Sequence, residues 1–123
     1  MRVVIAAPDV RVRRALSGLL ELQGHSVVGA VDTSQLLPQL DAELSTNLVV
    51  LELNRRAYAD DLKLVRSITQ RGYPVIAITS DATRCASVVS VGAQACLDKS
   101  VDFPERLARA LRAVAVPRMP PPT

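Results

Sequence analysis

Short apolar runs alternate with segments of helical period five times in 123 residues, and this alternation constrains the fold more than any other feature. The runs are RVVIAA (2–7), SVVGAV (26–31), LVVLEL (48–53), PVIAITS (74–80) and AQACLDK (93–99). Between them lie helical stripes. Val12, Ala15, Leu16, Leu19 and Leu20 recur on one face of the first, which Gly24 closes as a C-terminal cap. TSQLLPQLDAEL (33–44) reads as a helix begun by a Ser/Thr cap, with Pro38 delaying or kinking its regular part. The third helix turns Leu62, Val65 and Ile68 inward and ends at Gly72, and ATRCASVVSVG (82–92) reads as the fourth. The fifth starts at Asp102 as cap, with Pro104 in its first turn and Glu105 reaching back.

Strands that are apolar along their whole length must be covered on both faces, and strands separated by helices must cross over in one hand. The expected fold is therefore α/β: a flavodoxin-like (βα)5 three-layer sandwich with a five-stranded parallel sheet in the order 2-1-3-4-5. The domain spans residues 1–114. The tail from 115 to 123, AVPRMPPPT, is Pro-rich and reads as an extended linker to an effector domain beyond it. In such a sheet, ligands and chemistry gather outside the carboxyl ends of the first and third strands. Ala7, Pro8 and Asp9 follow the first, and Glu52 ends the third.

Composition removes several functions. Aromatic residues make up only 2%, so stacking platforms for bases are nearly absent. The net charge of +3 is carried on scattered arginines: Arg11, Arg13 and Arg14, then Arg55 and Arg56, then Arg106, Arg109 and Arg112. Solvated helix faces account for these better than a phosphate-gripping stripe, and nucleic-acid binding by this domain itself is not expected. Cys85, Cys96 and the single His25 fit no zinc spacing, so no metal site is expected. The two cysteines read as small buried hydrophobes in a reducing cytosol. No apolar run approaches the roughly 18 residues of a membrane span, and the first strand begins at Arg2, so a cytoplasmic protein is expected.

Four segments, in order and at matching spacing, carry a family resemblance. They are VRRAL after the first strand, VVLEL around Glu52, PVIAIT before Thr79 and GAQACLDK before Lys99. From Met1 to about Val114 the chain resembles the receiver domain of bacterial response regulators. The resemblance implies an acidic pair after the first strand that holds Mg²⁺ and a phosphoryl-accepting Asp at the end of the third. It also implies a Ser/Thr ending the fourth, a Lys ending the fifth, and an aromatic reporter three residues before that Lys. The matching positions here are Ala7 and Pro8, Glu52, Thr79, Lys99 and Cys96.

The departures fall on one mechanism. Ala7 and Pro8 offer no side-chain oxygen to a hard cation that demands oxygen ligands. Asp9, one residue later, is a partial substitute, although capping the first helix is its favoured role. Glu52 sets its carboxylate one methylene further out than Asp, where in-line transfer tolerates little misplacement. Cys96 cannot report as an aromatic ring, and the loop NRRAYADD after Glu52 lacks the Pro and Gly usual in this turn. Lys99 is the natural partner of Glu52, with Thr79 as a hydrogen-bond donor, whether Glu52 mimics a phosphorylated Asp or serves as a plain ion pair.

The chain is thus expected to be an atypical receiver that works without phosphorylation. It would bind a protein partner or a second copy of itself through its fourth and fifth or first and fifth helices. No enzymatic activity and no cofactor are expected. The favoured context is the N-terminal regulatory domain of a DNA-binding response regulator. Alternatives are the receiver-like first domain of a pilus-assembly or localisation ATPase, and a conventional phospho-switch with a remodelled site. A small flavodoxin-like enzyme or nucleotide binder is the last, weakened because AAPDVRV holds no phosphate-cradling glycine.

Overall fold

The computed structural model describes residues 1–42, 45–54 and 56–115. The tail from 116 to 123 and Arg55 lie outside the described residues. Five strands, β1 (Arg2–Ala6), β2 (Ser26–Val31), β3 (Leu48–Glu52), β4 (Val75–Thr79) and β5 (Ala95–Asp98), form one parallel sheet in the order β2-β1-β3-β4-β5. This is the flavodoxin-like order expected from the alternation. Helices α1 (Val10–Leu22), α2 (Leu36–Ala42), α3 (Tyr58–Gln70), α4 (Cys85–Ser90) and α5 (Phe103–Ala115) fill the crossovers.

The strand pleat divides the core into two layers. Val4, Ala6, Val49, Leu51, Val75 and Ala77 face α2, α3 and α4, where Leu36, Leu40, Val65, Ile68 and Val88 close over them. Val3, Ile5, Leu48, Val50, Ile76 and Ile78 face α1 and α5, meeting Leu16, Leu20, Leu107 and Leu111. β1, β3 and β4 are buried along nearly their whole length, whereas β2 sits at an edge and is only half-buried.

Local signals act largely as the residue types dictate. Asp9 caps α1 by accepting from the Arg11 amide at 2.8 Å. Gly24 ends that helix with φ +87°, and the His25 amide reaches back to the Leu20 carbonyl at 3.0 Å. Pro38 falls in the first turn of α2, where a missing amide hydrogen leaves no helix bond unmade.

Four expectations need correcting. The cap before α2 is Asp32, not a Ser or Thr: its carboxylate accepts from the Ser34 amide and opens a 3-10 turn (Thr33–Gln35) that leads into the helix. The fourth helical segment splits into a 3-10 turn (Ala82–Arg84), capped by Asp81, and a six-residue α4. Arg106 is not simply outward; it pairs with Asp98 at the end of β5 and donates to the Ser100 hydroxyl at 3.0 Å. Cys85 and Cys96 are not free hydrophobes but form a disulfide, their Cα atoms 5.3 Å apart. The crossover geometry brings the start of α4 against β5, a proximity that spacing along the chain does not reveal.

Gly92 ends the turn after α4 with φ +122°, and a Cβ there would meet the Thr69 hydroxyl at 2.9 Å and its methyl at 3.0 Å. Gly24 has a similar positive φ but open space around it. Gly92→Ala is therefore expected to cost about 1–3 kcal/mol, and Gly24→Ala about 1 kcal/mol. Urea unfolding of both variants checks the order; equal losses would mean the Thr69 contact is unimportant.

Candidate functional site

The carboxyl ends of β1, β3 and β4 and the residues just past β5 converge on one edge of the sheet. Glu52 is the last residue of β3, and its side chain is 12% exposed. Lys99 follows β5 and donates from Nζ to Glu52 Oε2 at 2.7 Å; its side chain is 45% exposed. Pro8, Glu52, Leu53, Asn54, Arg56, Ser80 and Lys99 line a cavity of about 300 Å³ around this pair. Residues separated by 47 positions are thus joined across the mouth of the site.

Thr79, buried at the end of β4, commits its hydroxyl elsewhere. Oγ1 donates to the Asp81 carbonyl at 3.2 Å and accepts from the Asp81 amide at 3.0 Å, closing a turn instead of bonding to Glu52. Cys96, on β5 three residues before Lys99, is tied to Cys85.

The end of β1 carries positive charge. The Arg13 guanidinium donates to the Ala7 carbonyl at 2.7 Å and to the Pro8 carbonyl at 3.3 Å. Asp9, the candidate substitute ligand, faces Arg11: Nη2 donates to Oδ2 at 3.0 Å and Nε to Oδ1 at 3.3 Å. Those hydrogen bonds from Arg11, with the capping bond to its amide, hold the Asp9 carboxyl below its ordinary pKa. The Mg²⁺ that the resemblance implies needs a cluster of available oxygens. Here both main-chain carbonyls accept from a guanidinium and the nearest carboxylate is paired with another. Among the described residues no group of three or more His, Cys, Asp or Glu is arranged to hold a metal ion. The donor set does not fit Mg²⁺.

Sequence reasoning missed Arg13 as a member of the site, and it missed Asp61. Asp61 lies in the first turn of α3 and is only 3% exposed. Its Oδ2 accepts from the Asn54 amide at 2.6 Å and so anchors the loop that leaves Glu52. Burial raises its pKa to about 6, against the lowering effect of the Asn54 hydrogen bond and of Arg84, while Asp60 raises it further. A carboxylate in the acidic first turn of a helix looks like a simple dipole match in sequence; that it is buried and bonded to the Asn54 amide is seen only in the fold.

With this geometry in hand, the chain can be compared with known proteins. No protein-family model matches it, and no curated protein matches it. Solved structures do. A response regulator receiver domain protein from Clostridium thermocellum superposes with a TM-score of 0.78 at 18% identity, over 92% of each chain. A LuxR-family two-component response regulator from Aurantimonas sp. SI85-9A1 gives 0.78 at 22% identity, over 92% of this chain and 83% of that one. The response regulator TrrA from Thermotoga maritima, solved in complex with Mg²⁺-BeF, gives 0.77 at 17% identity, over 92% and 97%. The chain has the receiver fold. At its sheet edge the Glu52–Lys99 ion pair, the Thr79–Asp81 turn and Arg13 lie side by side.

Two measurements follow from the site. Because Lys99 is half in water, the Glu52–Lys99 pair is expected to couple by about 1 kcal/mol in a double-mutant cycle of Glu52→Ala and Lys99→Ala, read by urea unfolding. Strictly additive losses would show that the two charges do not act on each other.

Asp61 has a folded-state pKa raised above its unfolded value near 3.8. The folded protein therefore binds more protons than the unfolded chain between about pH 4 and 6, and this group's contribution to stability falls as pH rises through that window. Asp61→Asn should remove that fall and stabilise the protein by about 1–2 kcal/mol at pH 7, while leaving stability at pH 4 nearly unchanged. Unfolding curves of both proteins from pH 4 to 7.5 check it; parallel pH profiles would show that Asp61 titrates normally.

Proposed function

We propose that this receiver-fold chain is a phosphorylation-independent interaction module, not an enzyme, in which Glu52 stands as a built-in substitute for a charged acceptor. The observation that carries the reading is the closed pair of Glu52 and Lys99, 2.7 Å apart at the acceptor position. Three further features support it. The Thr79 hydroxyl is held by Asp81, the carbonyls after β1 accept from Arg13, and Asp9 is engaged by Arg11. Phosphoryl transfer in such sites depends on a cation that neutralises developing charge and on an accepting oxygen in line with the leaving group. TrrA was solved with Mg²⁺-BeF; in this chain the carbonyls after β1, which such a cation would need, accept from the Arg13 guanidinium.

A module without a cycle must act through a fixed surface. The groove between α1 and α5, about 690 Å³ and lined by apolar residues including Leu16, Leu19 and Phe103, is one such surface. Arg109 and Arg112 of α5 are exposed and add positive charge to that helix. A protein partner or a second copy of this chain would be met on α1 and α5 or on α4 and α5. LuxR-family neighbours that carry this fold support a place as the regulatory domain of a DNA-binding regulator, with residues 115–123 as connector.

The test is chemical. Incubation with acetyl phosphate and millimolar Mg²⁺ should leave the intact mass unchanged, and Mg²⁺ alone should leave the amide NMR signals of Glu52 and Lys99 in place. A phosphoryl adduct, or saturable shifts at a few millimolar Mg²⁺, would restore the conventional switch.

A further inference from the structure

Helix α4 is the least secured element of the fold. It has six residues, far fewer than an isolated helix needs to persist in water, and Val88 is the one buried side chain it contributes. Arg84, the residue that precedes it at the cap position, makes no side-chain capping bond. The turn before it is braced within itself, Asp81 accepting from the Thr83 amide at 3.1 Å and pairing with Arg84 at 3.6 Å, and reaches α3 where Arg84 lies over the Tyr58 ring at 4.5 Å. At Cys85, the first residue of α4, the chain is then tied covalently to Cys96 in β5.

That tie is not required to make a core. Both layers close over the sheet with aliphatic side chains from every strand and from all five helices, and Cys96 touches the upper layer only at its margin. Domains that depend on disulfides to fold are those too small to build such layers. Both cysteines are half-buried, so a small thiol can approach the bond. A disulfide that the core does not need, clamped on the one helix that little else holds, has the properties of a latch.

We propose that Cys85–Cys96 is a redox-exchange site whose co-reactant is a dithiol, and that its state decides whether α4 is docked on β5. One thiolate of the dithiol attacks a sulfur of the pair, forming a mixed disulfide and releasing the other cysteine as a thiolate. The second thiol of the reductant then displaces the first cysteine. The reductant leaves as a disulfide, having given up two electrons and two protons; Cys85 and Cys96 end as two thiols. With Val88 then its one buried contact, the released α4 samples open states while the sheet, α3 and α5 stay folded. The surface formed by α4 and β5 thereby gains two conditions without any phosphoryl group. The site differs from the Glu52–Lys99 pocket, and its test uses no phosphoryl donor, so either reading can fail alone.

Hydrogen exchange followed by mass spectrometry on the full chain tests this. Excess dithiothreitol should raise amide exchange in residues 85–91 about tenfold or more, leave residues 62–70 and 103–115 as they were, and be reversed by reoxidation. The double variant Cys85→Ser, Cys96→Ser should exchange fast there with or without dithiothreitol. Four results would overturn the proposal. They are two alkylatable thiols in the oxidised protein, unchanged exchange at 85–91 once both thiols are free, exchange rising equally in α3 and α5, and a double variant that fails to fold. The last two would make the bond a brace for the whole domain.

Discussion

Everything in this molecule depends on a sheet that must be covered on both faces. Val3 through Ala6, Leu48 through Leu51 and Val75 through Ile78 leave no polar side to turn toward water. Parallel strands of that kind can only be joined by crossovers that lay a helix on one face or the other. With α1 and α5 on one side and α2, α3 and α4 on the other, every strand delivers its carboxyl end to the same edge. Glu52, Thr79 and Lys99 meet at that edge because their strands are neighbours, not because they are near in sequence.

The edge is an electrostatic arrangement in which several charges already have partners. Lys99 answers Glu52, Arg11 answers Asp9, Arg106 answers Asp98, and Arg13 answers the carbonyl dipoles of Ala7 and Pro8. Exposed pairs of this kind add little to stability. Asp61 is buried, accepts from the Asn54 amide, and has its pKa raised by burial to about 6.

The helices differ in how firmly they are held. Helices α1, α3 and α5 each run 13 residues and bury at least two side chains, or, for α1, Leu16 and Leu20 against the sheet. Helix α4 has six residues and one buried side chain, and a disulfide ties its first residue to β5. Local stability follows the apolar area an element buries, so α4 is the helix most easily released.

The fold was legible in the sequence because it rests on periodicity. The pleat of LVVLEL, the stripe from Val12 to Leu20, Gly24 as a helix stop and the strand order all follow from local pattern and from the rules of crossover connection. The positions of Glu52, Thr79 and Lys99 were legible for the same reason, since strand ends are read from strands. Side-chain partnerships across the fold were not. Thr79 bonds to Asp81 two residues on, instead of to Glu52; Arg13 reaches back over the end of β1; Asp61 disappears under its own preceding loop; and Cys85 finds Cys96. Periodicity specifies which face of an element is buried, but a hydrogen bond or a disulfide needs two groups within a few ångströms. That distance is set by how the helices settle on the sheet, which only the tertiary structure decides.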